Sequence, residues 1–374
     1  MSVLGFGEFT DHAAELAAIP LYPVASYMPS APEQDGFCFL YANRAPFVLG
    51  GIDPPEQNGG EYYRLDAAKK AAYSAANASL ADCTAGGTIR FTTDAEEIFV
   101  RVRLRSAILG MHHFCDRGVY GIDVYAGTGN KRKYLGEMMQ HFAESPQENE
   151  GRLSLPAGVN EVMIELPLYS DITSVEIGFP KDSRIGEPTK RDILPVAFYG
   201  SSITQGGCVS RPGNAYGNII CRALNADCRN FGFSGSALGE TAVAEYIAGC
   251  TLSCFVMDYD YNSPSCEHLS TTHEPFFQTI RTCQPKLPVV FVTHPFYDDP
   301  TEDDLARIAV VRQTYENALR NGDQNVFFVD SRNFFTPEFR DLYAVDYLHP
   351  NDLGQMSMAQ AIFPAVQEAV LKKE

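Results

Sequence analysis

Four places in this chain pair a chemically able group with a turn. Ser202 lies in Gly200-Ser201-Ser202-Ile203-Thr204-Gln205-Gly206, just after the apolar run Pro195-Val196-Ala197-Phe198-Tyr199. A serine where a strand turns into a helix sits at a helix N-terminus, where backbone N–H groups and the dipole stabilise a developing anion. Near the other end, Asp346-Tyr347-Leu348-His349-Pro350 places a carboxylate three residues before an imidazole. That carboxylate can fix one ring nitrogen while the other takes a proton from a serine. Two more turns offer donors for a tetrahedral oxyanion. One is Gly235, in Asn230-Phe231-Gly232-Phe233-Ser234-Gly235-Ser236, whose backbone N–H can approach a carbonyl closely. The other is Asn262, in Asp258-Tyr259-Asp260-Tyr261-Asn262, with its side-chain amide. Taken singly, each has an ordinary structural reading: a helix cap, a polar cluster at a helix entry, a turn glycine and a turn asparagine.

The elements around these residues give them a frame. Pro195–Tyr199, Leu252–Met257, Leu287–Thr293 and Asn325–Val329 read as short buried strands. Between and after them, Asn214–Leu224, Glu302–Arg320 (ended by Asn321-Gly322) and Gly354–Lys372 read as helices. Strands alternating with helices imply a parallel sheet with helices on both faces, whose sites lie at the carboxyl ends of the strands. The first half differs. Gly87–Phe179 holds short alternating runs such as Ile98–Leu104, Glu161–Leu166 and Thr173–Phe179, separated by turn signals, which predicts a β-sandwich or jelly roll. The expected layout is a β-sandwich domain over 1–183, a polar linker over 184–195 and an α/β domain over 196–374.

The order Ser, Gly, Asn, then Asp and His at successive strand ends resembles the SGNH/GDSL hydrolase superfamily. Gly200-Ser201-Ser202-Ile203-Thr204 stands where that family has GDSL or GDSIT. The resemblance covers Pro195 to the C-terminus and implies a flavodoxin-like parallel sheet. It makes Ser202 the nucleophile, His349 and Asp346 its triad partners, and Ser202, Gly235 and Asn262 the oxyanion donors. There are departures. Ser201 replaces the usual aspartate, and Asp260 and Ser263 flank Asn262 where the family has Gly and Asp. In the first half, Gly121-Ile122-Asp123-Val124-Tyr125 is similar to the GxDLY motif of N-terminal β-domains found with some bacterial SGNH hydrolases.

Composition narrows the partners. A formal net charge of −18 repels phosphate backbones and anionic membranes, which speaks against nucleic acid and membrane surfaces. A small-molecule or oligosaccharide ester is the expected substrate. The start, MSVLGFGEFTDHAAEL, has neither a basic nor a long apolar stretch, and a cytoplasmic location is expected. Ten cysteines include no CxxC pair, so reduced core thiols are expected and no metal or cofactor is called for. His294, after a strand, and Glu274, in the polar and aromatic stretch Asn262–Phe277 read as a loop, are candidate substrate contacts. The expected reaction is removal of short acyl groups, acetyl foremost, from carbohydrate. A lysophospholipase or thioesterase with the same triad, a carbohydrate-binding protein with a degenerate site, and a metallohydrolase using Asp258, Asp260, Asp298 or Asp299 are the alternatives. Oligomeric state is not fixed by the sequence.

Overall fold

The computed structural model describes residues 12–107, 111–138, 148–297 and 299–372. Asp298 and the opening residues 1–11, on which the location expectation largely rests, lie outside them. Among the described residues, no helix is long and apolar enough to cross a membrane.

The first half is a sandwich of two antiparallel sheets. The strand Glu97–Ala107 shows why: Ile98, Val100, Val102 and Leu104 are buried on one face. Arginines occupy the other, where Arg101 pairs with Glu150 at 2.9 Å and Arg103 with Glu148 at 3.0 Å across the neighbouring strand. This period of two is what a strand with one core face requires. The inward residues of both sheets, among them Ile89, Phe91, Val124, Ile164, Val102, Val175 and Ile177, form one continuous core.

The second half is a five-stranded parallel sheet. Its elements in chain order are β1 (Val196–Gly200), α1 (Ser202–Gln205), α2 (Tyr216–Leu224), β2 (Cys228–Gly232), α3 (Thr241–Ala248), β3 (Cys254–Asp258), α4 (Cys266–Cys283), β4 (Val289–Val292), α5 (Glu302–Arg320), β5 (Val326–Val329) and α6 (Asp352–Leu371). The spatial order is β2-β1-β3-β4-β5, the flavodoxin-like arrangement. Alternate strand residues feed different cores. Val196, Phe198, Val256 and Val290 pack with α2 and α6, while Ala197, Tyr199, Met257 and Phe291 pack with α3, α4 and α5.

Three sequence expectations change. The stretch read as a loop over 262–277 is mostly helix α4, which runs through Pro275. Ser265 caps it by accepting from His268 N, and Leu269, His273, Phe276, Phe277 and Ile280 bury one stripe. Helix α3, not anticipated, is short and covers β2 and β3. The polar segment from Arg184 is not free of the sandwich: Arg184–Gly186 forms a strand against Thr92–Thr93, with Ile185 fully buried.

The two halves also share packing. Tyr63, Leu65, Tyr73 and Ala81 belong to the core beneath α3 and α4, not to the sandwich core. Arg64, buried, donates to Asn230 O and Gly232 O at 2.8 Å each and to Leu80 O at 2.7 Å. Asp123 of the GxDLY-like motif accepts from Arg211 at 2.6 Å and from Gly213 N at 2.8 Å. Glu165 takes Arg222 at 2.7 Å.

Candidate active site

The register sets the site. Gly200 pairs with Gly232 on one side and Asp258 on the other, so β1, β2 and β3 end at one edge of the sheet. The segments carrying Ser202, Gly235 and Asn262 therefore leave the sheet side by side.

At the start of α1 the two serines divide the work. Ser201 is the N-cap, its hydroxyl accepting from Ile203 N at 3.1 Å. Ser202 is thereby left uncommitted, and its Oγ lies 3.0 Å from His349 Nε2. His349 Nδ1 is 3.0 Å from Asp346 Oδ2. The other Asp346 oxygen accepts from His349 N at 2.6 Å and Leu348 N at 2.8 Å, so the DxxH turn is closed by its own carboxylate. Burial alone would raise Asp346, but these bonds, with His349 first, hold it below the usual carboxylate range. Ser202 and His349 are each 7% exposed, enough for a substrate edge and little bulk water. A hydroxyl on an imidazole whose far nitrogen faces a carboxylate is the arrangement that makes a serine nucleophilic.

Close packing holds the donor loop against α1. A Cβ on Gly232 would lie 2.2 Å from Gln205 N, so only glycine lets β2 end against this helix. Gln205 Oε1 then accepts from Ser234 N at 3.1 Å. Gly235 takes φ +66°, with open space where a side chain would stand. Two residues on, Ala237 N donates to Asn262 Oδ1 at 3.4 Å, which turns the Asn262 amide so that its Nδ2 has no protein partner among the described residues. Asn262 is steadied in turn by its neighbours: Arg307 donates to Asp260 O and Ser263 O, each at 2.9 Å.

The two tentative substrate contacts are engaged elsewhere. His294, 1% exposed, has Nδ1 at 2.7 Å from Asp260 and Nε2 at 3.0 Å from Asp304. Burial alone would lower it, but the two carboxylates, Asp260 first, push it up to about 9, so it is an imidazolium held inside the protein. Glu274 accepts from Asn317 of α5 at 2.6 Å. Neither side chain is offered to the cleft. Two of the acids weighed as metal ligands, Asp258 and Asp299, also have partners. Asp258 accepts from Thr204 and Tyr216 and is pushed up to about 7 by burial and then by Asp260, while Asp299 faces Arg340 at 3.3 Å.

Residues of the first half reach the site unannounced by any motif. The His113 ring lies 5.2 Å from that of His349, and Phe114 lies 5.9 Å from it and 4.7 Å from Tyr169. Burial, then the facing His349, lowers His113. Tyr169 donates to Ser202 O at 3.1 Å. Burial, then Asp346, pushes the nearby Cys208 thiol up to about 12. Beside Asp346 a pocket of about 290 Å3 is lined by Tyr297, Asp341, Ala344, Val345 and Tyr347. Larger hollows, such as that of about 570 Å3 along Leu252 and Gln284–Pro288, lie at the opposite edge of the sheet, away from this chemistry.

Residues 194–367 match the model of the GDSL-like Lipase/Acylhydrolase family, and residues 39–185 match that of the GxDLY N-terminus of SGNH-hydrolase-type esterases. The chain belongs to the SGNH/GDSL hydrolases. They are ester hydrolases, and both halves of this one carry the family's architecture. A Bacteroides ovatus protein assigned as a GDSL-like lipase is 24% identical, with TM-score 0.79 over 90% of this chain and 99% of its own. The salicylyl-acyltransferase SsfX3 of a tetracycline biosynthetic pathway is 16% identical, with TM-score 0.72 over 91% and 99%. A family two carbohydrate esterase from Clostridium thermocellum, solved with cellohexaose, is 14% identical, with TM-score 0.55 over 76% and 92%. These likenesses establish the shared fold. No curated protein matches the sequence.

Proposed function

We propose that this SGNH hydrolase is a serine esterase that removes short acyl groups, acetyl foremost, from carbohydrate. The observation that carries the reading is the relay from Ser202 Oγ through His349 to Asp346, with both contacts at 3.0 Å. His349 takes the Ser202 proton as Oγ attacks the ester carbonyl. The N–H groups of Ser202 and Gly235 and the Asn262 amide receive the negative oxygen. His349 then protonates the leaving alcohol, and water, activated in the same way, releases the acid.

The short acyl preference is supported by what crowds the nucleophile: Phe114, Tyr169 and His113 close in around Ser202 and His349. The carbohydrate preference is supported by Tyr347, 83% exposed beside Asp346 at the pocket rim, an aromatic face with a polar tip. The cellohexaose in the Clostridium thermocellum relative accords with this reading. The test is acetate release from a panel of acetylated oligosaccharides, set beside hydrolysis of acetyl and octanoyl p-nitrophenyl esters. A serine-reactive phosphonate should label Ser202. Preference for the octanoyl ester would overturn the acetyl assignment, and absence of labelling would overturn the serine mechanism.

A further inference from the structure

At the site, His349 stands in one group with two side chains that none of the steps above uses, His113 and Cys208. His113, Cys208 and His349 each offer a ligand atom, and these atoms all lie within 4.8 Å of one another. They come from three separate places: a loop of the first half, the segment after α1, and the turn before α6. Cys208 is nearly buried and stands at φ +68°, in the left-handed region that residues with a side chain rarely take. A glycine would adopt this backbone freely, yet the position carries a thiol aimed at two imidazoles. Strained residues held by their surroundings gather at functional sites.

We propose that His113, Cys208 and His349 form an inhibitory site for a thiophilic divalent cation, of which Zn2+ is the type. One thiolate and two imidazoles are the ligand set that such an ion takes, with a fourth position left for water. Small side-chain rotations bring atoms this close to the separations of a tetrahedral centre. On binding, a sulfur–metal bond forms and the Cys208 thiol proton passes to solvent. The ion also needs a nitrogen of His349, and both are in use. Taking Nε2 removes the partner of Ser202, and taking Nδ1 removes the grip of Asp346, so either way the proton relay is broken. The ion is an inhibitor here and supplies none of the chemistry. The inference rests on the serine-esterase reading only for its consequence, since the ligands assemble regardless of what Ser202 does.

Co2+ serves as the spectroscopic probe. Titrated into the full chain, it should give a near-ultraviolet thiolate-to-cobalt band. Cys208→Ser and His113→Ala should each lose that band while keeping a native melting transition. In parallel, Zn2+ should inhibit hydrolysis of an acetyl ester, with recovery on adding EDTA. Cys208→Ser should retain wild-type activity and need at least about tenfold more Zn2+ for half inhibition, since loss even of a group supporting a ligand costs on the order of 10–100-fold in affinity. No cobalt band in the wild type, or equal zinc sensitivity in Cys208→Ser, overturns the site. A cobalt band with no activity on any ester sinks the esterase reading alone. Activity lost in EDTA and restored by Zn2+ overturns the inhibitory assignment.

Discussion

Ser201 and Ser202 hold separately the two jobs a serine at a helix start can do. The sequence leaves cap and nucleophile as alternatives for one position. In the structure Ser201 caps the helix, while the Ser202 hydroxyl faces His349, as the proposed nucleophile requires. Ser202→Ala and His349→Ala are expected to lower kcat by about 10⁴-fold or more, while the melting temperature stays near the wild-type value. Asp346→Asn should cost less than either and at most about 10⁴-fold, because the ring loses its tautomer partner while the turn still holds His349 in place. Asn262→Ala should lower kcat by about 10²–10³ with little change in KM, as expected of a donor that acts on the oxyanion alone. Steady-state kinetics with circular dichroism checks all four. These residues were readable because the chemistry demands fixed types next to strand ends. His294 was not, for its two carboxylate partners lie 34 and 10 residues away, and no local pattern reveals that its ring is spoken for.

At the scale of elements, the loop after β3 is secured from α5. Arg307 holds its carbonyls, and the cluster Asp260–His294–Asp304 locks it to the end of β4. His294 titrates at about 9 in the folded chain, above its ordinary value of 6.5. A raised histidine adds stability that is whole below pH about 6.5 and is lost as pH rises through about 9. Melting temperature measured from pH 6 to 10 should therefore fall across that window in the wild type. His294→Asn should be less stable at pH 6 and should lack that part of the fall; parallel curves would contradict the assignment. Helix α5 has the bounds read from the sequence, with Asn321-Gly322 at its end, and the structure adds a capping box of Thr301 and Asp304 at its start. Helix α4 was not legible, because Pro275 and a run of hydroxyl residues mask a stripe that only packing against β3 and β4 makes apparent.

For the whole molecule, charge joins the halves. The GxDLY-like aspartate, Asp123, sits fully buried between Arg211 and Gly213 N, in the segment that follows α1. Burial, then Glu165, raises it to about 6 despite the arginine. Asp123→Ala leaves Arg211 and an amide without their acceptor, and should cost on the order of 3 kcal/mol in urea unfolding. It should also lower kcat, since the segment it releases runs on from the nucleophile's helix. The motif was visible in the sequence as a strand leaving a turn. Its partner was not, because the contact spans 88 residues and the two sides have unrelated patterns.

Arg64 sets an order of events during synthesis. The carbonyls that receive its guanidinium lie 166 and 168 residues further along the chain. At about 5–20 residues per second, a ribosome needs roughly ten to thirty seconds to deliver them. Through that interval the nascent first half must keep Arg64 and the aromatic residues around it hydrated or loosely covered, so the segment from Tyr62 to Ala81 is expected to be the last of that half to lose its sensitivity to protease.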